Sequence, residues 1–175
     1  MKLVVTALLL AGISLTTAAR ADCFMEAAQY HHVNPLILKA IAWRESRGDA
    51  DALHINQNGS TDYGMMQINS VHLPVLSQWG ISTDTLMQPC ASVYIAAWHL
   101  HNQMEKYGNT WEAVGAYHSE TPTLRDNYAR QIIKVLMSWG EITSVNWTAS
   151  TAQPRRLKNA SRAYRIRLSS GKIHR

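Results

Sequence analysis

Apolar positions along the chain recur at helical spacing in most segments, and strand-like alternation never persists for long. Asn34-Pro35 supplies a helix start, with Asn34 as cap and Pro35 in the first turn. Leu36, Ile37, Ala40, Ile41 and Arg44 follow at three- and four-residue intervals, and Gly48 is placed to close the helix. Glu45 then falls in the last turn, one turn beyond Ile41 and on or beside the apolar face. Gln88-Pro89 opens a long helix through Ala96, Ala97, Leu100 and Met104 to about Tyr107, with Gly108 beyond it. Thr110 can cap a short helix over Trp111 to Tyr117. Leu124, Tyr128, Ile132, Val135 and Leu136 mark a last amphipathic helix that Gly140 ends. Between Gly48 and Asp62 the composition turns polar, with Asn56, Asn58, Gly59 and Ser60; a stretch of this length is a functional loop or carries a short hairpin. The expected fold class is mainly α, in one domain, and the chain of 175 residues is long enough to bury a core. Trp43 and Trp98 sit on apolar helix faces and are expected in that core.

The first residues change the picture. Met1-Lys2 is followed by an apolar run from Leu3 to Leu15, interrupted by the polar Thr6 and Ser14, and Ala19-Arg20-Ala21 fits a small-x-small cleavage site. Residues 1–21 therefore read as a secretory signal peptide, and the mature protein is expected in the periplasm. The acidic Asp22 before Cys23 is unlike a lipid-attachment site, and no later run has the roughly 18 apolar residues of a transmembrane helix. Cys23 and Cys90 are the only cysteines, and an oxidising compartment favours joining them; two buried thiols are the alternative.

Charge divides the chain further. From Pro154 to the end there are eight Lys and Arg and no Asp or Glu, so a net charge of +5 conceals a mildly acidic body. Residues 141–175 read as a basic tail, expected to be disordered because it offers little apolar surface to bury. It is a candidate for attachment to an anionic surface. A nucleic-acid partner, which such a tail alone would suggest, is set aside because of export. The eight histidines form no ligand pattern: His31 and His32 are adjacent, His99 and His101 are two apart on a helix, and no His-Glu-x-x-His occurs. Neither a metal nor another cofactor is expected.

Three short stretches remain that combine groups suited to chemistry. Trp43-Arg44-Glu45-Ser46 places a carboxyl at a helix end among apolar and aromatic residues, where burial would raise its pKa; a salt bridge to Arg44 or Arg47 is the plainer alternative. Tyr63-Gly64-Met65-Met66-Gln67-Ile68-Asn69 follows the polar loop, with Gly64 permitting close backbone approach and Gln67 and Asn69 able to bond sugar hydroxyls or N-acetyl groups. Ala113-Val114-Gly115-Ala116-Tyr117-His118 offers small residues for close helix contact and the Tyr117 hydroxyl.

Glu45-Ser46, Gly64-Met65-Met66-Gln67-Ile68-Asn69 and Ala116-Tyr117, in this order and spacing, resemble the lytic transglycosylases with a lysozyme-like domain. The resemblance is greatest to the small specialised members that accompany secretion, conjugation and pilus machinery. It spans about Cys23 to Gly140, includes the cysteine pair, and implies a catalytic domain over residues 22–140. The resemblance further implies that Glu45 is acid and then base in a non-hydrolytic cleavage of peptidoglycan glycan strands. Ser46, Gly64, Met66, Gln67, Asn69 and Tyr117 would form the substrate-binding set. Asp62 is a candidate second carboxylate, as in retaining glycosidases, with an Asx-turn or cap residue as the alternative. Two departures stand out: Met65 replaces the usual leucine, a volume-conserving change, and His118 stands where the family usually has asparagine. A hydrolytic muramidase using the same Glu45, or a non-catalytic glycan-binding assembly factor, are the rival functions.

Overall fold

The computed structural model describes residues 22–144; the expected signal peptide and most of the basic tail lie outside them. Among these residues the domain is mainly helical: α1 (Cys23–His31), α2 (Pro35–Ser46), α3 (Leu73–Leu76), α4 (Thr83–Met87), α5 (Pro89–Tyr107), α6 (Trp111–Ala116) and α7 (Pro122–Ser138). Three very short antiparallel strands follow α2: β1 (Leu53–Ile55) and β2 (Thr61–Tyr63) in and at the end of the polar stretch, and β3 (Ile68–Asn69) after it. The four helices expected from patterning are present. α1, α3 and α4 are additions, because segments of four to nine residues are too short for periodicity to stand out. No described helix is long and apolar enough to cross a membrane.

The helix boundaries follow from local chemistry. Asn34 Oδ1 accepts from the Leu36 amide at 2.8 Å, satisfying one of the unpaired donors at the start of α2. Thr110 Oγ1 does the same for α6 through Ala113 N, at 3.3 Å. α2 ends where Arg47 and then Gly48 turn into the left-handed region, so a non-glycine residue takes the first turning position and glycine the second. The reversal leaves Glu45 in the last turn, beside the loop that becomes the small sheet.

The core is built around α2 and α5. Leu38, Ile41, Met66, Leu76, Leu86, Val93, Leu100 and Ile132 are its largest apolar side chains, each fully buried. α2 contributes Leu38, Ala40, Ile41 and Ala42 to it and packs on α1, α5 and α7, so it is surrounded rather than one-sided. Trp43 departs from expectation: it is 41 % exposed, carries the Arg47 guanidinium 5.0 Å from its ring, and meets Trp139 edge-on. The reason is its side of the helix: Trp43 lies two turns from Leu36 on the same outward face, and both are exposed. Trp98 is partly buried against the core and packs on Trp79.

Cys23 and Cys90 are joined, with Cα atoms 5.3 Å apart. The bridge ties the start of α1 to the start of α5 across a separation of 67 residues; chain entropy puts such a closure at about 4 kcal/mol.

The contact between α6 and α7 depends on Gly115. A Cβ there would lie 2.2 Å from the carbonyl oxygen of Arg125, a backbone atom that cannot yield without moving α7. Gly115→Ala is therefore expected to destabilise the domain by roughly 3 kcal/mol or more, at the upper end for overpacking. Equilibrium urea unfolding checks this, and a midpoint within error of wild type would contradict the close approach. The loss matters for the site because α6 leads into Tyr117 and α7 carries Tyr128.

Candidate active site

A cleft of about 810 Å³ runs between the end of α2 and the small sheet. Glu45, Asp62, Gln67, Asn69, Tyr117 and His118 are among the residues lining it, with β1 and the following turn along one side. The sequence therefore places three of its expected substrate-binding residues, Gln67, Asn69 and Tyr117, on the cleft wall together with both candidate carboxylates.

Glu45 is held by its partners rather than by a salt bridge. Arg44 donates to Gln131 of α7, and Arg47 lies over Trp43, so neither pairs with it. Instead the buried hydroxyl of Tyr128, on α7, donates a hydrogen bond to Glu45 Oε1. Burial pushes the Glu45 carboxyl above its usual range, the nearby Asp62 charge adds to that rise, and the Tyr128 bond and Arg44 work against it. The combination holds a carboxylic acid toward its protonated form, which a proton donor near neutral pH requires.

Tyr128 is a site residue that patterning alone assigned to the apolar face of α7. It is 3 % exposed and lies on that face, together with Ile132 and Leu136. The available signal was chemical: a tyrosine within an aliphatic stripe needs a partner for its buried hydroxyl.

Asp62 occupies the middle of β2, paired with His54 on one side and Asn69 on the other. It is neither a helix cap nor an Asx-turn residue. Its Oδ1 accepts from Asn69 Nδ2 at 2.6 Å, and its Oδ2 accepts from Asn56 Nδ2 at 2.9 Å. Two neutral amides thus clamp the carboxylate within the sheet without supplying a counter-charge, so its negative charge remains available to the cleft.

The remaining expected residues divide by where their polar atoms are spent. Gln67 has a left-handed backbone (φ 48°), and its Nε2 donates to the carbonyls of Gly64 (2.9 Å) and Ala52 (3.2 Å), leaving Oε1 for a ligand. Asn69 is committed internally: Nδ2 serves Asp62 and Ser60, and Oδ1 accepts from the Val71 amide. Tyr117 donates to the Met66 carbonyl at 3.0 Å, so its hydroxyl braces the loop. Ser46, Gly64 and Met66 stand behind the cleft. Ser46 Oγ donates to the Met65 carbonyl at 2.8 Å, stitching α2 to that loop. Gly64 has φ 67° and would place a Cβ 2.3 Å from the Leu86 carbonyl oxygen, so glycine is required for the approach to α4. Met66 is 0 % exposed and belongs to the core.

Residues 22–133 match the transglycosylase SLT domain, a span covering more than half of the chain. The chain belongs to that family. It is 37 % identical over 150 residues to the invasion protein IagB of Salmonella typhimurium, covering 85 % of this chain and 92 % of the relative. It is 46 % identical over 103 residues to the protein IpgF of Shigella flexneri, covering 58 % of this chain and 68 % of that protein. The X polypeptide of Escherichia coli is 39 % identical over 100 residues, covering 57 % and 59 % respectively. Membership of the transglycosylase family agrees with a helical domain that presents a buried carboxyl at one cleft.

The histidines of this transglycosylase domain bear on its stability. His99, on α5, bonds through Nε2 to the Tyr117 carbonyl at 3.1 Å, and its ring packs at a tilt against that of His72, with ring centres 4.7 Å apart. Burial, reinforced by His72, lowers the His99 pKa to about 4. A histidine near 6.5 when unfolded and near 4 when folded stabilises fully above pH 6.5, and that contribution falls away as pH drops toward 4. The loss is expected to reach up to roughly 3 kcal/mol. Urea unfolding at several values from pH 7.5 to 4.5 should show it, and His99→Gln should flatten the slope. An unchanged slope in that variant would contradict the assignment.

Proposed function

We propose that this protein is a peptidoglycan lytic transglycosylase that cleaves the β-1,4 bond between N-acetylmuramic acid and N-acetylglucosamine without water. The observation that carries this reading is Glu45, held by burial toward its protonated form at the cleft and fixed through Oε1 by the Tyr128 hydroxyl. With Oε1 accepting from Tyr128, Oε2 carries the proton to be donated.

Glu45 protonates the glycosidic oxygen, the bond from that oxygen to muramic C1 breaks, and the N-acetylglucosamine side leaves with its hydroxyl restored. Positive charge develops at C1, where the uncompensated negative charge of Asp62 stabilises it. The C6 hydroxyl of the same muramic acid then attacks C1, and the Glu45 carboxylate accepts its proton. A 1,6-anhydro end forms, and Glu45 returns to its starting state. Gln67 Oε1 is the free acceptor positioned to orient a sugar hydroxyl or N-acetyl N–H; Asn69 and Tyr117 act by holding Asp62 and the loop.

The site of action in this proposal is the periplasm, reached through cleavage of residues 1–21. The resemblance to small specialised transglycosylases, and to a relative called an invasion protein, fits local wall remodelling beside a secretion, conjugation or pilus apparatus. The eight positive charges after Pro154 suit attachment to an anionic surface by an attraction that salt screens over about 8 Å.

Mass analysis of muropeptides released from purified sacculi tests the chemistry. Products lighter by one water than the reducing-end form are expected. Reducing ends would make the protein a hydrolytic muramidase with the same acid, and no released product would leave a glycan-binding role.

A further inference from the structure

His118 follows α6, directly after Tyr117. Its ring lies almost parallel to that of Tyr128, with an interplanar angle of 6° and centroids 5.0 Å apart. Tyr117, the residue before it, stacks on the same Tyr128 ring at 6.3 Å and 20°. Two consecutive residues therefore bear on one phenol, and that phenol donates to Glu45 Oε1. The Tyr117 hydroxyl is already spent on the Met66 carbonyl, so that ring is anchored to the core. His118 is exposed and lines the cleft. An imidazole stacked this way offers a flat face and excludes water from one side of the phenol, which the shorter asparagine amide cannot match.

We propose that His118 is a positioning residue, whose ring holds Tyr128 so that the phenol keeps the Glu45 carboxyl aimed at the glycosidic oxygen. The proposal rests on Glu45 being the acid and base. The charged groups that face His118 are Arg44 of α2 and Asp62 of β2; burial first, and Arg44 second, lower its pKa, with Asp62 opposing. His118 is accordingly neutral near neutral pH and adds no second cation beside Arg44, where it would draw Glu45 toward its ionised form.

A double-mutant cycle between His118 and Tyr128, read as kcat and KM on purified sacculi, tests this. His118→Ala is expected to lower kcat about tenfold with KM changed less than about twofold, because the loss falls on alignment in the transition state. In the Tyr128→Phe background the same change should cost less than about twofold, since the bond through which His118 acts is already gone. His118→Phe, which restores a flat ring without nitrogen atoms, should recover most of the turnover lost in His118→Ala, and His118→Asn should recover little. Additive losses in the cycle, or equal turnover of the Phe and Asn variants, would overturn the proposal. So would a loss confined to KM, which would make His118 a ligand for the sugar. If His118→Ala fails to fold, His118→Asn takes its place in the cycle, with the same expectations. Glu45→Gln is run alongside: more than about a tenth of the wild-type rate there sinks the acid–base assignment itself, whereas a loss of about a hundredfold or more in Glu45→Gln with an additive cycle removes only the role of His118.

Discussion

Glu45→Gln is expected to leave the protein folded and to lower turnover on peptidoglycan by at least a hundredfold. General acid–base catalysis contributes about 10² to 10⁴ in rate, and in the proposed mechanism one group performs both proton transfers. The amide keeps the shape of the side chain and can still accept from the Tyr128 hydroxyl, so the α2–α7 contact survives. Stability near neutral pH should equal or exceed that of the wild type, because a carboxyl whose ionisation burial opposes has been replaced by a neutral group. Lost activity with an unchanged or raised melting temperature is the signature of a catalytic group. A variant that keeps more than about a tenth of the wild-type rate would remove Glu45 from the mechanism.

Asp62→Asn is expected to lower kcat by about tenfold or more while KM changes little. In the proposed mechanism only the transition state carries the positive charge that Asp62 meets, so ground-state binding of the glycan should hardly change. The variant has a second cost: Asn56 and Asn69 both donate to Asp62, and an amide at position 62 can accept from only one of them through its oxygen. A modest fall in melting temperature should therefore accompany the kinetic loss. The pH profile separates the two effects. The charge of Asp62 helps raise the Glu45 pKa, so removing it should move the alkaline limb of kcat/KM to lower pH. Hairpin loosening alone has no reason to shift that limb in this direction. Near-normal turnover would reduce Asp62 to a structural residue of the sheet.

Much of the helical framework was legible because its signals are local. Asn34 and Thr110 cap helices where expected, and proline and glycine bracket α2 and α5. The polar stretch after Gly48 was recognisable as a functional loop or hairpin, yet its strands are two or three residues long and defeat any test of alternation. Trp43 was misplaced for a related reason. Apolar residues lie nearly all round α2, so patterning does not single out the side left to solvent, and Trp43 lies there with Leu36.

The sequence by itself determined the family, the helical class, the favoured pairing of its two cysteines, and a short set of residues around Glu45, because these depend on residue types and their order. Only the tertiary structure decided what each member of that set touches. Ser46, Gly64 and Met66 turned out to hold the loop from behind, while Gln67 alone of the polar pair keeps a free atom, Oε1, for a ligand. Tyr128, 83 positions from Glu45, became the partner of the carboxyl, and His118 came to lie on Tyr128. A hydrogen bond or a stacked ring requires two side chains to converge within a few ångströms, and which distant residues converge is set by the packing of α2, α6 and α7 against one another. No spacing along the chain encodes that convergence.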